Sequence, residues 1–567
     1  MLTTLTNRLG PLALALLVSV PFLLPWHTTP IPSFYTEWWA AVLGLVASLA
    51  LVGARSLPLP GAALLALTLA AIVLLQTLLG RTALPQLGAL SGLYLLWAAL
   101  LACTGNFLAA QIGQARLARI LALAILLGSL LAALLSLLQP WLLPLGWKGF
   151  AARHGGPLGQ TNQFTNYLWL GLASALYLRV TAALSRRAFW TIATLLTLTA
   201  VLVGQRSAFL YAAALIGVAV WQARNAASDY RAEARRLAVG MGLLFVLMQP
   251  LVMLFPTWGD GGGDAKPPPA LRAAQMADQP SVRLQLWRVG WEGIAAAPVF
   301  GNGVGSYPGL ALTHADTIPA AANPGPAESA HNLLIDLSVE FGVPVALLVL
   351  FAAAHWLWRL RQNLSPEAAW ATAVMVILCL HSLIEYPLWH TYFLGLLAIV
   401  AGAFGNARHV GRRLTPVALA IGLLVWGSLA LVELKRDYQL LETSLVLGKQ
   451  PATLSLAQFA LLRIPRTSLL SPWVNTTACV SLDPLRVPLQ DGLAVCRIAM
   501  VFAPTIESGV NAAVLQWRAG DVDGARTFLR RLKRATQYNP KGVDTLLAQS
   551  TARDMHLSEL LIPPLTP

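Results

Sequence analysis

The chain reads Ala118-Arg-Ile-Leu-Ala-Leu-Ala-Ile-Leu-Leu-Gly-Ser-Leu-Leu-Ala-Ala-Leu-Leu-Ser-Leu-Leu138 in one of its most apolar stretches. Arg119 is the only charged residue there, and a helix needs about 20 apolar residues to cross the hydrocarbon core of a bilayer. A helix also pairs every backbone amide within lipid. Of the 567 residues, 57% are hydrophobic and 11% are charged, which is too apolar for a soluble globular protein. The stretch therefore predicts an all-α, polytopic membrane protein.

Similar runs recur along the chain and predict about thirteen transmembrane helices. They lie at 9–24, 38–54, 59–79, 87–105, 118–138, 161–180, 188–204, 207–222, 237–256, 332–356, 367–385, 391–406 and 415–433. The predicted domains are N-terminal transmembrane helices (1–256), a large loop with an amphipathic helix (257–330), C-terminal transmembrane helices (331–433) and a helical domain (434–567).

The arginines indicate the orientation of these helices. With a cytosolic N-terminus, most arginines of the short loops fall inside, for example Arg186, Arg187, Arg235 and Arg236, as the positive-inside rule requires. The large loop and the C-terminal domain then face outward. The net charge of +15 is explained by topology, and nucleic-acid binding is disfavoured.

The C-terminal domain contains a helix, a glycine turn and a second helix within Glu507–Leu532. Small and apolar residues recur there at helical spacing and favour a tetratricopeptide-like pair, with an ordinary helical domain as the alternative. Cys479 and Cys496 could form a disulfide if the domain lies outside the cytosol.

The first outward loop is Pro25-Trp-His-Thr-Thr-Pro-Ile-Pro-Ser-Phe-Tyr-Thr-Glu37. Its aromatic residues could simply form a belt at the membrane interface. A membrane anchor does not require His27 or Glu37, so these two are candidate binding residues.

Amides cluster where the sixth predicted span begins, in Gly159-Gln-Thr-Asn-Gln-Phe-Thr-Asn166. Helix capping could account for one of them. Amides both donate and accept hydrogen bonds, which suits a ligand rich in hydroxyl groups. Gln160, Asn162 and Gln163 are therefore candidates for binding a glycan or an acceptor.

Arginines suggest a phosphate-binding function on the same side. Arg206 lies at an outer turn between two spans, and Arg283 and Arg288 lie in Ser281-Val-Arg-Leu-Gln-Leu-Trp-Arg-Val-Gly-Trp-Glu292. Guanidinium groups bind phosphate oxygens in pairs, so three of them suit a diphosphate. The alternative for the last two is a helix that lies on the membrane surface.

The candidate general base is His331, in Glu328-Ser-Ala-His-Asn332. Imidazole titrates near neutral pH and can take a proton from a hydroxyl group. A helix cap or an interfacial residue is the alternative. The turn His381-Ser-Leu-Ile-Glu-Tyr-Pro-Leu388 adds Glu385 and Tyr386 to the outward side. The sequence has no Walker lysine motif, no zinc-type spacing and no outward Asp-x-Asp pair, so it demands neither a metal nor a cofactor.

These motifs together resemble the bacterial protein O-oligosaccharyltransferases, also called pilin or general O-glycosylation ligases. The family belongs to the O-antigen ligase/polymerase superfamily, and the resemblance covers roughly residues 10–410. The His-Asn pair after the long loop is shared with O-antigen ligases. The Trp-His loop and the Glu-Tyr-Pro-Leu turn are similar to the protein ligases in particular.

The resemblance implies an inverting, metal-independent transfer of an oligosaccharide from undecaprenyl diphosphate to Ser or Thr of periplasmic proteins such as pilin. It implies a GT-C-like architecture in the bacterial inner membrane, with His331 as the essential base. Gln160 or Gln163 and Tyr386 match positions that are important in the family. Arg206, Arg283 and Arg288 match its diphosphate-binding arginines.

Two alternatives remain. An O-antigen ligase acting on the lipid A core, or an O-antigen polymerase, would use the same donor. A transporter or flippase would need ionisable residues near the bilayer midplane and internal repeats, and the sequence provides few of the former and no apparent repeat.

Overall fold

A computed structural model describes most of the chain. The described residues are 2–142, 155–223, 229–253, 268–275, 282–315, 327–411, 414–450, 454–536 and 540–560.

Helices dominate the described residues. They are α1 (Leu2–Leu17), α2 (Phe34–Ser48), α3 (Gly61–Leu78), α4 (Pro85–Ile112), α5 (Gln114–Leu142), α6 (Thr161–Val180), α7 (Arg186–Val203), α8 (Ser207–Ala223), α9 (Asp229–Met253), α10 (Pro269–Gln275), α11 (Val282–Ala296), α12 (Tyr307–Thr313), α13 (Leu333–Phe341), α14 (Val343–Leu360), α15 (Pro366–Ser382), α16 (Thr391–Ala403), α17 (Leu414–Leu447), α18 (Leu454–Leu462), α19 (Ser471–Ser481), α20 (Leu489–Phe502), α21 (Ile506–Arg518), α22 (Val522–Ala535) and α23 (Pro540–Thr551). Two short antiparallel strands accompany them in this part of the chain, β1 (Leu57–Pro60) and β2 (Ala407–Val410), with Leu57 opposite Val410. The predicted all-α class is confirmed.

The predicted membrane spans coincide with helices. Among the described residues, seven helices are long and apolar enough to cross a membrane, and four shorter apolar helices accompany them. Their outward faces carry large exposed apolar side chains, such as Leu127 at 58% and Phe351 at 68% exposure. Large apolar side chains are exposed in this way where lipid rather than water surrounds a helix. The chain is a polytopic membrane protein.

The prediction of one continuous span over 332–356 is wrong. The chain breaks at Gly342, whose φ is +92°, into α13 and α14, and the span that fits a membrane is Val343–Leu360. A Cβ at Gly342 would collide with the backbone of Val299. Moreover, α13 buries two acids, Asp336 and Glu340, which a lipid-facing helix would not carry.

The internal contacts divide the chain into two compact units. Unit 1 comprises residues 1–67, 94–279 and 351–431, and unit 2 comprises residues 68–93, 280–350 and 432–567. The large loop after α9 is thus divided, because α10 belongs to unit 1 and α11 and α12 belong to unit 2.

Unit 1 is held together by close helix packing. Glycine permits α5 and α6 to approach, because Gly128 faces Tyr167 and Gly171 faces Ser129. The ring of Tyr167 stacks on Phe22 with centroids 3.9 Å apart, and its hydroxyl donates to the carbonyl oxygen of Val18 over 2.9 Å. Small residues and interhelical hydrogen bonds are the usual means of helix association in lipid.

Unit 2 combines the helices around His331 with the C-terminal helices. Leu286, Val289, Ala330 and Val339 form one apolar cluster with the helix α12. The C-terminal helices α19 to α23 each pack on the next, and Cys479 and Cys496 form a disulfide that joins α19 to α20. The predicted helix pair within 507–532 is present as α21 and α22.

The helix α12 belongs to both apolar clusters of unit 2. Tyr307 and Ala311 pack with the helices around His331, whereas Leu312 and Ala315 are buried among the C-terminal helices. The Cα of Val501 would lie 3.4 Å from a Cβ placed on Gly309, so α12 also runs close to the backbone of α20.

Candidate active site

Glu37 is the centre of a polar cluster in unit 1. Its carboxylate accepts from the hydroxyl of Ser33 over 2.5 Å and from that of Tyr94 over 2.6 Å. The Nδ1 of His390 is 3.2 Å from the same carboxylate, and the ring of His390 stacks on that of Tyr392. The loop 25–37 is therefore tied to α4 and to the start of α16 through one side chain.

The amides at the start of α6 make contacts across unit 1. Gln163 accepts from the hydroxyl of Tyr392 over 2.6 Å, and Asn162 donates to the carboxylate of Glu385 over 2.5 Å. Gln160 is half-buried and occupies the N-cap position of α6, but within the described chain its side chain makes no capping bond. Two of the three predicted amides thus pair with side chains that follow α15.

His27 lies between two loops. Its Nε2 is 2.6 Å from the carbonyl oxygen of Pro157, and its Nδ1 is 3.2 Å from that of Pro32. A carbonyl oxygen can only accept, so both contacts are hydrogen bonds only when both ring nitrogens carry protons. Gly159, with a φ of +66°, leaves room for the imidazole. His27 therefore fastens loop 25–37 to the entrance of α6.

Arg206 begins the turn into α8 and is exposed. Its neighbour Gln205 is buried, donates to the hydroxyl of Thr161 over 2.7 Å and accepts from Arg272 over 3.2 Å. Arg272 lies on α10 and also donates to the carbonyl oxygen of Gly204. A second guanidinium group is thus placed beside the turn that carries Arg206.

Tyr386 is half-buried in the turn between α15 and α16. Its ring lies 6.0 Å from those of Trp389 and His390. One turn earlier, His381 is fully buried, and its Nδ1 is 2.6 Å from the hydroxyl of Tyr211. Tyr386 therefore lies beside the Glu37 cluster, whereas His381 belongs to the packing between α8 and α15.

His331 lies in unit 2, immediately before α13. It has a φ of +53°, which is uncommon for a residue other than glycine. Its backbone N–H donates to the hydroxyl of Ser329 over 2.9 Å. The next residue, Asn332, caps α13 by accepting from the backbone of Leu334 and Ile335. The cap is thus made by Asn332, and the half-buried imidazole of His331 is not the capping group.

The helix α11 runs parallel to α13. A Cβ on Gly290 would meet Ile335, and one on Gly293 would lie 3.5 Å from Val339, so the two helices advance in the same direction. Arg283, in the first turn of α11, therefore lies at the same end of this pair as His331.

Arg288 has an acidic neighbour that the sequence analysis did not consider. Its Nε is 3.8 Å from the carboxylate of Glu292, one turn later on α11. Glu292 also contacts His314, whose Nδ1 is 2.6 Å from its other oxygen. The positive charge of Arg288 is thus partly compensated by Glu292.

Several residues of these clusters were missed by the sequence analysis. Tyr94 and Tyr392 lie in apolar spans, where composition does not show which side of a helix faces the interior. Asp336, which accepts hydrogen bonds from the loop of His331, could have been noticed in the sequence, because it and Glu340 are acids in a largely apolar run after Asn332.

Comparisons with known proteins agree with the resemblance. Residues 190–350 match the family described as O-Antigen ligase, and residues 369–538 match the family described as virulence factor membrane-bound polymerase, C-terminal. A general O-oligosaccharyltransferase of Acinetobacter baylyi is 26% identical over 460 residues, which is 78% of each chain. These similarities identify the chain as a glycosyltransferase related to the O-antigen ligases and the general O-oligosaccharyltransferases.

The cluster around His331 and part of the polar cluster of unit 1 fall within the matched regions. His331 and Arg283 lie inside the O-antigen ligase match, as does Arg206. Glu385 and Tyr386 lie inside the polymerase match, together with most of the C-terminal helices.

Proposed function

We propose that this glycosyltransferase transfers an oligosaccharide from undecaprenyl diphosphate to a Ser or Thr hydroxyl of a periplasmic protein such as pilin. The reaction takes place at the outer face of the bacterial inner membrane. The proposal rests on the backbone conformation of His331. Hydrogen bonds on either side hold this residue in a strained conformation just before α13. Such strain persists where the surrounding structure enforces it, typically at functional sites.

In the proposed reaction His331 is the general base. Its imidazole takes the proton of the acceptor hydroxyl while the oxygen bonds to the anomeric carbon of the glycan. The bond from that carbon to the diphosphate breaks, the lipid diphosphate keeps the electron pair, and the sugar inverts its configuration. General-base catalysis of this kind contributes roughly 10²–10⁴-fold to the rate.

The arginines stabilise the leaving group. Negative charge grows on the diphosphate as the bond breaks, and guanidinium groups in a site of low dielectric stabilise it. We assign this role to Arg206, Arg283 and Arg288. As the resemblance implies, a metal ion is not part of the proposal.

The polar cluster of unit 1 would bind the glycan or the acceptor. Gln160 and Tyr386 are half-buried, so their side chains are suited to contact a ligand directly. Asn162 is bonded to Glu385 and Gln163 to Tyr392, so these side chains would support the binding surface within unit 1. His27 and Glu37 would hold the first loop in place.

A second candidate is supported by the family matches. The O-antigen ligase and polymerase families share the donor chemistry, so a lipid A core or a growing polysaccharide could be the acceptor. The relative named general O-oligosaccharyltransferase favours a protein acceptor.

The decisive experiment is transfer in a bacterial cell that makes a lipid-linked glycan and a pilin substrate. We expect the chain to add the mass of the glycan to the pilin. A glycan on the lipid A core instead would favour the ligase. We expect His331→Ala to abolish transfer, whereas His556→Ala, an exposed histidine of the C-terminal helices, should retain it. Full transfer by a folded His331→Ala variant would remove His331 from the mechanism.

The side of the membrane can be tested separately. A single cysteine at the exposed position Glu328 should react with a membrane-impermeant thiol reagent in intact spheroplasts. Labelling that requires opened membranes would place His331 in the cytosol and contradict the proposed donor and acceptor.

A further inference from the structure

Asp336 is a buried acid whose hydrogen bonds lead to the loop that carries His331. Only 3% of it is exposed, and both of its oxygens are engaged. Oδ2 accepts from the hydroxyl of Ser329 over 2.7 Å, and Oδ1 accepts from the backbone N–H of Ala330 over 2.7 Å. Since Asp336 lies on α13, these bonds tie the loop 329–330 to the helix.

The contacts continue to His331. The oxygen of Ser329 that donates to Asp336 also accepts from the backbone N–H of His331 over 2.9 Å. On the other side, Asn332 caps α13, and its carbonyl oxygen accepts from the backbone of Asp336 over 2.9 Å. The backbone of His331 is thus held on both sides in the left-handed region, at a φ of +53°. An unrestrained residue with a side chain avoids that region.

We propose that Asp336 is the positioning residue of the catalytic histidine, and that it acts through Ser329 to hold the backbone of His331 in its left-handed conformation. The inference rests on the proposed function, in which His331 is the base. The backbone angles set the direction of the Cα–Cβ bond of His331, so loss of this support would displace the ring from the acceptor hydroxyl. Misplacement of a catalytic group by about 1 Å can cost roughly 10²-fold in rate.

The burial of a carboxylate here is consistent with a specific role. Burial raises the pKa of Asp336 to about 6, and a buried acid is costly unless hydrogen bonds compensate it. His331, Tyr307 and Glu340 are the titratable groups that interact with it electrostatically. An apolar residue would pack α13 without this cost.

The test uses the purified full-length protein with a lipid-linked glycan and an acceptor peptide. Asp336→Ala removes the hydrogen bonds that the carboxylate accepts from Ser329 and from the backbone of Ala330 and Asn332. We expect kcat to fall roughly 10²-fold with KM for the donor within about twofold. Asp336→Asn can still accept from Ala330 and can donate to Ser329, so it should recover most of kcat. Ser338→Ala is the matched control, because Ser338 is buried on the same helix but bonds to the carbonyl oxygen of Leu334.

A double variant separates positioning from general destabilisation. If Asp336 acts through Ser329, the Ser329→Ala/Asp336→Ala variant should be no slower than Asp336→Ala alone, since coupled residues are not additive. The inference would be overturned if the fold-losses in kcat of the two single variants multiplied in the double variant. An Asp336→Asn variant as slow as Asp336→Ala would also overturn it. Should Asp336→Ala fail to fold, Ser329→Ala alone decides, because normal kcat in that variant would also overturn it.

The outcomes distinguish this inference from the proposed function. A wild-type protein that glycosylates no acceptor contradicts the proposed function itself. A wild-type protein that is active, with an inactive His331→Ala and normal Asp336→Ala and Ser329→Ala variants, contradicts only the positioning role.

Discussion

The side-chain amide of Asn162 donates to the carboxylate of Glu385 over 2.5 Å, and so joins the first turn of α6 to the turn that follows α15. Glu385 is only 3% exposed, so this donor offsets part of the cost of burying a carboxylate. Further along, Trp370 of α15 donates to the hydroxyl of Ser174 on α6 over 3.1 Å. The two bonds fix the antiparallel register of α6 and α15.

This bond can be tested by exchanging its partners. We expect Asn162→Asp to lower the melting temperature and the transfer rate, because a second carboxylate would then face the buried carboxylate of Glu385. Asn162→Ala should cost about 1–3 kcal/mol, because it removes a hydrogen bond that a buried carboxylate accepts. The double variant Asn162→Asp/Glu385→Gln restores a donor and an acceptor, so it should recover stability in thermal melts. A double variant as unstable as Asn162→Asp alone would show that the contact is unimportant.

Gly159 should tolerate no side chain. Its φ of +66° costs an L residue about 1–2 kcal/mol, and a Cβ would lie 2.9 Å from the Nε2 of His27. Gly159→Ala should therefore displace His27 from Pro157 and reduce transfer. The control is Gly92→Ala in α4, where a Cβ meets nothing within 4 Å among the described residues. Equal transfer rates for the two variants would contradict the role assigned to His27.

The membrane spans could be predicted because hydropathy is a local property of the sequence. The predicted spans fall on helices, except that the span predicted at 332–356 is divided into two helices at Gly342. That break depends on the backbone of Val299, which approaches from another part of the chain. The acids Asp336 and Glu340 in the same run are the local sequence signal that residues 333–341 do not face lipid.

The site could be predicted only in part. His331, Glu37 and the amides could be proposed as candidates because polar residues are conspicuous beside apolar spans. Their partners were not, because Tyr94 and Tyr392 reach Glu37 and Gln163 from helices far away in sequence. Such pairs depend on which side of each helix faces the interior, and this is decided by tertiary packing.

Glu340 should make stability depend on pH. Burial of its carboxyl inside unit 2 raises the pKa of Glu340 from 4.5 to about 8. The hydrogen bond that one oxygen accepts from the backbone of Gly305 opposes this rise but does not cancel it. The folded protein therefore holds a proton that the unfolded chain releases above pH 4.5. The contribution of Glu340 to the free energy of unfolding is fully present below pH 4.5 and is lost as the pH rises to about 8. Between these two values, a rise of one in the pH removes about 1.4 kcal/mol.

The melting temperature of the wild-type protein should accordingly fall between pH 5 and about 8. Glu340→Gln keeps an acceptor for Gly305 but cannot ionise, so its melting temperature should fall less over the same range. Glu507→Gln, an exposed acid on α21, is the control and should follow the wild type. A Glu340→Gln profile that overlays the wild type would show that Glu340 is already ionised when buried.

The C-terminal helices should be needed for catalysis itself. Leu312 of α12 is 5% exposed and packs with Val514 and Leu529, while its neighbour Ala311 packs with Ala330 beside His331. Leu312→Ala should cost about 2–5 kcal/mol of packing between these parts of unit 2. Because α12 supports both sides, the variant should lose transfer to every acceptor, whether pilin or a short peptide.

Leu462→Ala is the control for Leu312→Ala, because Leu462 lies in the same unit and is 84% exposed. It should transfer glycan at the wild-type rate. Limited proteolysis would show whether Leu312→Ala loosens the C-terminal helices. If they loosen while short peptides are still glycosylated normally, these helices serve only to recognise the acceptor, and His331 is positioned without them.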